Sequence, residues 1–511
     1  MLGALAERAR LAPDDLAVTD GRCTLNWAEL AHDVDRAGAA MLAVATGVDD
    51  RVAVLGDNAV ATLVAHAAGL CAGVGTTATS RQLTSTEMTD QWSSGGVVAA
   101  IAGPSSAGAA AAAADELQLR SLVVHGTDAP PGALAWHRWL ESSPGGLDST
   151  GRPPRPVLVY TSGTTGRPRG AEVRWTKKAI HTSDEYLHAI TSESRFPAGA
   201  HLVVGPLQHN APLTSLRHLL AGQPVVVLPR FDAEAVLAAV QTHRVTSTTM
   251  VPTHFQRLLA LDPAVRARYD VSSLQLVSQT GAACPPDVKL AMIEWFGPIL
   301  VESYGGSEVG TVSRIDATEW LAHRGSVGRA QSPFEVVVVG ADSEVVGPGN
   351  VGVLGFRAPA EHAIRYHNDE AKTAAAYVLP GVFTLGDVGY VDDDGFIFIT
   401  DRVADMVVSG GVNLYPAESE RVLVQHPDVA DVAIIGVPDE DMGEALHALV
   451  VARERSPSTA ELQSFCRVHL AAYKCPRTYE FVDELPRNVM GKVDKVSLRG
   501  PYWQTGRAIA G

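Results

Sequence analysis

One stretch of the chain combines hydroxyls, glycines and arginines in a way that suits the binding of phosphate. Residues 157–173 read VLVYTSGTTGRPRGAEV, an apolar β-branched run typical of a buried strand and then a polar loop. Backbone N–H groups and hydroxyls in such a loop can surround phosphate oxygens, arginines supply positive charge, and glycines allow close approach. An ordinary surface loop explains the composition equally well. The candidate phosphate contacts are Thr161, Ser162, Gly163, Thr164, Thr165, Gly166 and Arg169.

The loop does not follow the common nucleotide-binding design, in which a Gly-Lys pair and a hydroxyl residue close the glycine-rich turn. No Gly-Lys pair follows Gly163 in this loop, and the pair at Gly491-Lys492 is followed by valine. Any phosphate binding here therefore uses a different arrangement.

Two other segments carry side chains suited to a nucleotide, but each signal is weak alone. In YGGSEVG, Tyr304 offers a stacking face and Glu308 a hard oxygen for Mg²⁺, although a structural turn explains the segment equally well. Asp387 can accept two ribose hydroxyls and Arg402 can donate to one. A capped turn and a solvated arginine are the simpler interpretation of that second pair.

Taken together, these segments resemble the acyl-adenylate-forming enzymes, the family of acyl-CoA synthetases, nonribosomal adenylation domains and beetle luciferases. TSGTTGRPRG resembles the signature loop of that family, and the segments around Gly281, Tyr304, Asp387 and Lys492 follow in the family order. The resemblance implies an ATP-dependent carboxylic acid–CoA ligase that uses Mg²⁺. The carboxylate would attack the α-phosphorus of ATP, and the CoA thiol would then displace AMP from the acyl-adenylate.

The resemblance also implies roles for individual residues. Tyr304 would lie on adenine, Ser307 would touch the α-phosphate and Glu308 would hold the metal. Lys492, otherwise a surface residue, would bridge the carboxylate and the α-phosphate, and His209, otherwise structural, would act beside the acyl pocket. The remaining ATP contacts would be Gly281, Ala282, Ala283, Gly305, Asp387 and Arg402. The acyl contacts would be His209, Asn210, Thr253, His254, Gly281, Gly305 and Gly306, and the CoA contacts Gly410, Gly411, Tyr473 and Lys474.

Three positions depart from the family pattern. Arg169 stands where lysine is usual, which keeps the charge but changes the hydrogen-bonding geometry. Asp401 replaces the glycine of a Gly-Arg pair, and Ala404 stands at the expected hinge in place of Asp or Lys. The hinge change would alter the balance between two domain arrangements and leave the chemistry intact.

The substrate and the acceptor are less defined than the reaction. Gln208, His209 and Asn210 stand where amino-acid adenylation domains supply a carboxylate, so a free amino acid is disfavoured because a buried ammonium needs a partner. Small, uncharged pocket candidates favour a fatty, aryl or alicyclic acid, with a medium-chain or bulky one expected first. The alternatives are an enzyme that loads a carrier protein and a non-catalytic nucleotide sensor; Lys492, Glu308 and Asp387 together disfavour the sensor.

Strand and helix patterns alternate from Arg51 to about Glu335, which predicts mostly parallel sheets covered by helices. The motif loops follow strands, at the carboxyl ends where such sheets bind ligands. The next strands are closely spaced and predict a small antiparallel, barrel-like sheet with a turn at 393–395. We expect an α/β fold with an N-terminal domain over residues 1–401, a hinge at 402–404 and a small mobile α+β domain over 405–511. Glu418 and Glu420 are expected on a helix surface.

Composition narrows the class of protein and its partners. The 511 residues carry a formal net charge of −16, which argues against nucleic acid as the main partner. The first residues do not resemble a signal peptide, and we expect no transmembrane helix. The five cysteines are scattered, which favours reduced thiols in the cytoplasm, although a catalytic Cys284 stays open. We expect a monomer or a homodimer.

Overall fold

The computed structural model describes residues 3–126, 128–148, 152–161, 169–173, 175–176, 180–366, 369–402, 405–409, 412–439, 442–470, 472–487 and 493–503. The chain divides into a first unit, residues 1–324 with 358–375, and a second unit, residues 325–357 with 376–511. Each unit has its own sheets and its own hydrophobic core. The expected hinge at 402–404 and the mobility of the C-terminal domain stay predictions.

The first unit alternates helices and strands along most of its length. Its helices are α1 (Gly3–Leu11), α2 (Trp27–Val44), α3 (Val60–Ala72), α4 (Ser85–Ser94), α5 (Ala107–Glu116), α6 (Trp136–Ser142), α7 (Ser183–Ser192), α8 (Asn210–Leu213), α9 (Ser215–Leu220), α10 (Ala233–His243), α11 (Pro252–Leu259), α12 (Pro263–Arg266), α13 (Pro286–Phe296), α14 (Ala317–Ala322) and α15 (Glu370–Ala375). Its strands are β1 (Leu16–Thr19), β2 (Thr24–Asn26), β3 (Arg51–Leu55), β4 (Gly75–Thr79), β5 (Val97–Ala102), β6 (Ser121–Val124), β7 (Leu134–Ala135), β8 (Leu158–Thr161), β9 (Arg169–Glu172), β10 (Ala200–Val203), β11 (Val225–Val227), β12 (Val245–Met250), β13 (Leu276–Thr280), β14 (Leu300–Gly306) and β15 (Gly310–Asp316).

One sheet of the first unit has the order β7-β6-β5-β3-β4-β8-β9 and is parallel except for the β8–β9 pair. Successive residues of β3 face opposite sides, so Val52 and Val54 join one core cluster while Ala53 and Leu55 join another. Helices α4 and α5 pack on the face that carries Ala53 and Leu55. The almost wholly buried helix α3 packs on the opposite face. Burial on both faces explains why residues 52–55 of this strand are all apolar, and it confirms the predicted helix-covered parallel sheet.

The other sheet of the first unit runs β15-β14-β13-β12-β10-β11-β1-β2. Strands β11, β10, β12, β13 and β14 are parallel to their neighbours, whereas β14–β15 and β1–β2 are antiparallel hairpins. Asn58 ties the two sheets together, because its side chain donates to the carbonyls of Gly205 and Leu228 and accepts from the amide of Leu207 at 2.9–3.0 Å. The carboxyl ends of β3 and β10 are thereby held close to each other.

The second unit is mostly β-structure. Its strands are β16 (Arg329–Ala330), β17 (Glu335–Val339), β18 (Val345–Val346), β19 (Gly352–Arg357), β20 (Tyr377–Leu379), β21 (Val382–Val391), β22 (Ile397–Arg402), β23 (Val407–Ser409), β24 (Val412–Leu414), β25 (Val429–Asp439), β26 (Gly443–Ala452) and β27 (Thr478–Phe481). Its helices are α16 (Pro416–Leu423), α17 (Thr459–His469) and α18 (Lys495–Arg499).

The predicted small antiparallel sheet is confirmed in the second unit. It has the order β18-β17-β19-β21-β20, and β22 pairs with β21. The turn between β21 and β22 closes through Gly395, whose φ of 83° suits the residue that lacks a side chain. A further sheet, β24-β23-β26-β25 with β27 parallel to β26, packs against α16 and α17 and forms the predicted α+β part.

One expectation about local structure needs correction. The segment from Tyr304 was predicted to be a loop after a strand, but β14 continues to Gly306 and turns directly into the antiparallel β15, because pairing across the hairpin extends the strand.

Within the described ranges, no helix combines the length and apolar composition that would let it cross a bilayer. All five cysteines are free thiols. The expected cytoplasmic location stays a prediction.

Candidate active site

Four parallel strands of the first unit deliver the expected acyl and adenine contacts to one edge of a sheet. Strands β10, β12, β13 and β14 are neighbours, and their carboxyl ends lead into the segments at 204–210, 251–254, 281–283 and 304–308. Ligands of parallel α/β sheets bind beyond this edge. The structure therefore brings together segments that are separated by up to about 100 residues in the sequence.

The hairpin at this edge holds Tyr304 in a strand and Ser307 and Glu308 in the turn. A Cβ on Gly305 would lie 1.9 Å from the carbonyl oxygen of Gly310, so only glycine fits where the two strands meet. Tyr304, Ser307 and Glu308 are all partly buried. Their expected contacts with adenine, phosphate and metal stay predictions.

Buried polar side chains contact the Gly281–Ala283 turn, which follows β13, or lie next to the residue that contacts it. Gly281 has a φ of 87°, and the side-chain amide of Gln279 donates to the carbonyl of Ala282 at 2.8 Å. On the neighbouring strand, Glu302 accepts from the ammonium of Lys289 at 2.6 Å. Burial raises the pKa of Glu302 above its usual value, and Lys289 opposes that shift.

The expected acyl contacts lie in two segments with different surroundings. His209 precedes α8, and the Asn210 side chain accepts from the indole N–H of Trp175 at 2.9 Å. His254 stacks on Phe231 with ring centroids 4.2 Å apart and planes within 6°. Burial lowers the pKa of His254 to about 4, so this ring is neutral near pH 7.

The strands that flank the expected phosphate-binding loop form an antiparallel pair. Thr161 ends β8 and lies opposite Arg169 at the start of β9. At the opposite end of this strand pair, the fully buried guanidinium of Arg51 pairs with Glu172 of β9 at 2.5 Å and donates to the Pro156 carbonyl at 3.1 Å. The expected contacts Ser162, Gly163, Thr164, Thr165 and Gly166 lie outside the described residues.

In the second unit, the two expected ribose contacts lie side by side. Asp387 on β21 and Arg402 on β22 are register partners, and the Nε of Arg402 lies 3.2 Å from Asp387 Oδ1. The carboxylate is buried, whereas the guanidinium is mostly exposed. The antiparallel sheet therefore pairs residues that are fifteen positions apart in the sequence.

The expected CoA contacts are described only in part. Tyr473 is exposed, and the ammonium of Lys474 pairs with Glu418 at 2.7 Å. Glu420 pairs with Lys495 at 2.8 Å. Glu418 and Glu420, expected on a helix surface, lie on α16, where each is partly exposed and paired with a lysine from near the end of the chain. The residues Gly410, Gly411, Ala404 and Lys492 lie outside the described parts.

Sequence comparison decides the family. Residues 5–363 match the AMP-binding enzyme family, and residues 418–492 match the AMP-binding enzyme C-terminal domain. This chain belongs to the AMP-binding enzyme family. Its relatives there include a feruloyl-CoA synthase from an Amycolatopsis species, 33% identical over 504 residues that cover 96% of this chain and 97% of the relative. An indoleacetate–CoA ligase from Aromatoleum aromaticum is 33% identical over 397 residues, 75% of this chain and 74% of the relative.

A solved structure has the same architecture. The o-succinylbenzoate CoA synthetase of Bacillus subtilis, determined with its acyl-adenylate intermediate, matches 99% of both chains with a TM-score of 0.79 and 25% identity. The fold and family predicted from the motifs are thereby confirmed.

Several residues of this AMP-binding enzyme family member were missed by sequence reasoning. Trp175, Gln279, Lys289 and Glu302 each make a side-chain contact at or beneath the predicted site. Lys289 did carry a signal, because it shares the buried stripe of α13 with Met292 and Ile293. Cys284 lies in the same region, and burial raises the pKa of its thiol to about 12, which disfavours a catalytic thiolate.

Proposed function

We propose that this chain is an ATP-dependent ligase that joins a hydrophobic carboxylic acid, an aryl acid first, to CoA. The observation that carries the proposal is the meeting at one sheet edge of the expected acyl segments, at His209 and Thr253, with the expected adenine segments, at Gly281 and Tyr304. Adenylation requires the substrate carboxylate and the α-phosphate side by side, and a shared edge can hold both in reacting geometry.

The proposed reaction has two steps. A carboxylate oxygen attacks the α-phosphorus of ATP and pyrophosphate leaves, while Lys492 balances the charge that builds up at the reacting centre. The CoA sulfur then attacks the acyl carbon and AMP leaves. Asp387 and Arg402 are proposed to bind the ribose, and Tyr473 and Lys474 to border CoA.

Glu308 is the proposed protein ligand for Mg²⁺. The described residues include no cluster of three or more His, Cys, Asp or Glu side chains that could enclose an ion. A single carboxylate fits a cation that takes its other ligands from phosphates and water, as Mg²⁺ does with nucleotides. When bound, Mg²⁺ would offset phosphate charge during the displacement.

The aryl preference rests on the surroundings of His254. Its neutral ring is stacked on Phe231, and the Arg257 guanidinium lies 5.7 Å from the Phe231 centroid, so this part of the edge is lined by flat aromatic rings. Gln208, His209 and Asn210 supply no carboxylate for an ammonium group. The two relatives named for feruloyl and indoleacetyl substrates support the same class of acid.

The test is pyrophosphate release with Mg-ATP over a panel of acids, followed by thioester formation with CoA. The panel pairs 3-phenylpropanoate with phenylalanine, which differ only by the amine, and includes octanoate as a fatty acid. We expect release and thioester with 3-phenylpropanoate and neither with phenylalanine. Release without thioester would favour a carrier protein as the acceptor, and ATP binding without release from any acid would favour the sensor.

A further inference from the structure

A buried ion pair lies under the turn that is expected to line adenine. Lys289 and Glu302 have side chains that are 1% and 8% exposed, with their charged atoms 2.6 Å apart. The indole of Trp320 covers the ammonium with its ring centroid 4.7 Å away. Neither charged group is exposed to solvent at the carboxyl-end edge of the sheet. Each can therefore act on a ligand at that edge only through neighbouring residues.

The neighbour that links this pair to the turn is Gln279. It is the register partner of Glu302 on the adjacent parallel strand, so both side chains point to the same face of the sheet. Its amide nitrogen donates to the carbonyl of Ala282, one residue beyond the left-handed Gly281. The Gln279 side chain also hydrogen-bonds to Glu302, so Lys289, Glu302, Gln279 and the turn form a continuous chain of contacts.

Stability alone is a poor explanation for this arrangement. A buried ion pair is often no more stabilising than apolar residues of the same volume. Gln279 is 1% exposed, and its side-chain oxygen has no hydrogen-bond partner among the residues that the structure describes, which costs free energy in a buried site. What the arrangement does provide is a fixed orientation for the carbonyl of Ala282.

We propose that Lys289, Glu302 and Gln279 are positioning residues for the Gly281–Ala283 turn, so that ATP binding depends on a buried pair that never touches the nucleotide. The proposal rests on the proposed function, in which this turn lines adenine. The proposal predicts that one substitution in this set weakens ATP binding without lowering the stability of the protein.

The decisive variant is Gln279→Met, which keeps the volume, removes the donor to Ala282 and also removes the unpartnered oxygen. We expect the dissociation constant for ATP, measured by titration calorimetry without acid, to rise about tenfold, as for the loss of one hydrogen bond. The melting temperature is expected to stay the same or rise. The matched control is Ser273→Ala, which loses a 2.9 Å bond to the Val245 carbonyl at the other end of β13 and should leave ATP binding unchanged.

A second variant tests the same proposal independently, in case Gln279→Met does not fold. Lys289→Met with Glu302→Gln removes both charges and should weaken ATP binding similarly with little change in melting temperature. ATP affinity within twofold of the parent in both variants, or weaker binding accompanied by a large drop in melting temperature, would overturn the proposal. Because ATP binding is measured without chemistry, a parent protein that binds ATP but releases no pyrophosphate would refute the ligase function alone.

Discussion

Glu172→Leu is the substitution that tests how the expected phosphate-binding strands are supported. The Arg51 guanidinium, 1% exposed, contacts both β9, through Glu172 at 2.5 Å, and the residue before β8, through the Pro156 carbonyl. Burial lowers the pKa of Arg51, and Glu172 counteracts that shift. Among the described residues, removing the carboxylate leaves the buried guanidinium with the Pro156 carbonyl as its remaining hydrogen-bond partner.

The structure sets the size of the expected effect. Breaking a buried pair by removing one partner typically costs about 3–5 kcal/mol. Glu172 is 31% exposed, so solvent screens its end of the pair, and we expect a loss of about 2–3 kcal/mol in the free energy of unfolding. Arg51→Leu combined with Glu172→Leu should recover stability to within about 1 kcal/mol of the parent, because no unpaired charge is left.

The measurements are urea unfolding followed by tryptophan fluorescence and pyrophosphate release with the preferred acid. Glu172→Leu should lose activity together with stability, since β9 carries Arg169 at the far end of the same strand. Asp15→Asn, which removes the partner of Arg8 in a pair whose side chains are 39% and 64% exposed, is the control and should cost far less. A Glu172→Leu protein that unfolds at the parental urea concentration, with a double variant no more stable than it, would refute the reasoning.

Three further predictions follow from the site and the core. Lys492→Ala should slow pyrophosphate release by about 10²- to 10³-fold, the usual cost of one electrostatic group, with ATP affinity retained; an unchanged rate would remove Lys492 from the mechanism. Cys284→Ala should keep pyrophosphate release near the parental rate, because a thiol whose pKa is about 12 stays protonated, and a hundredfold loss would contradict this. Burial lowers the pKa of His66 and of His201 from 6.5 to about 3, so the folded state excludes protons that the unfolded chain takes up. Their contribution to stability is present above pH 6.5 and is lost as the pH falls toward about 3; urea unfolding that is flat between about pH 7 and pH 5 would speak against it.

Much of the fold could be predicted from the sequence, because the patterns that indicate strands and turns involve residues close together in the chain. The alternation of strands and helices from Arg51 predicted parallel sheets covered by helices, and β3 is a strand of such a sheet, with both faces buried. The Asp-Asp-Gly turn at 393–395 predicted a hairpin, because turn geometry depends on the residues of the turn itself. The order of the motifs along the chain was sufficient to place it in its family.

The sequence by itself determined which residue types are present and the order of strands, helices and motifs. Only the tertiary structure decided that Lys289 faces Glu302, that Gln279 supports the turn after β13, and that Arg51 lies behind β9. The burial of these residues depends on elements 13 to 121 positions away, and apart from Lys289, which lies on the buried stripe of α13, the local sequence does not mark them as buried. Whether a charge is solvated or paired is set by the packing of distant segments, and local sequence patterns carry no record of that packing.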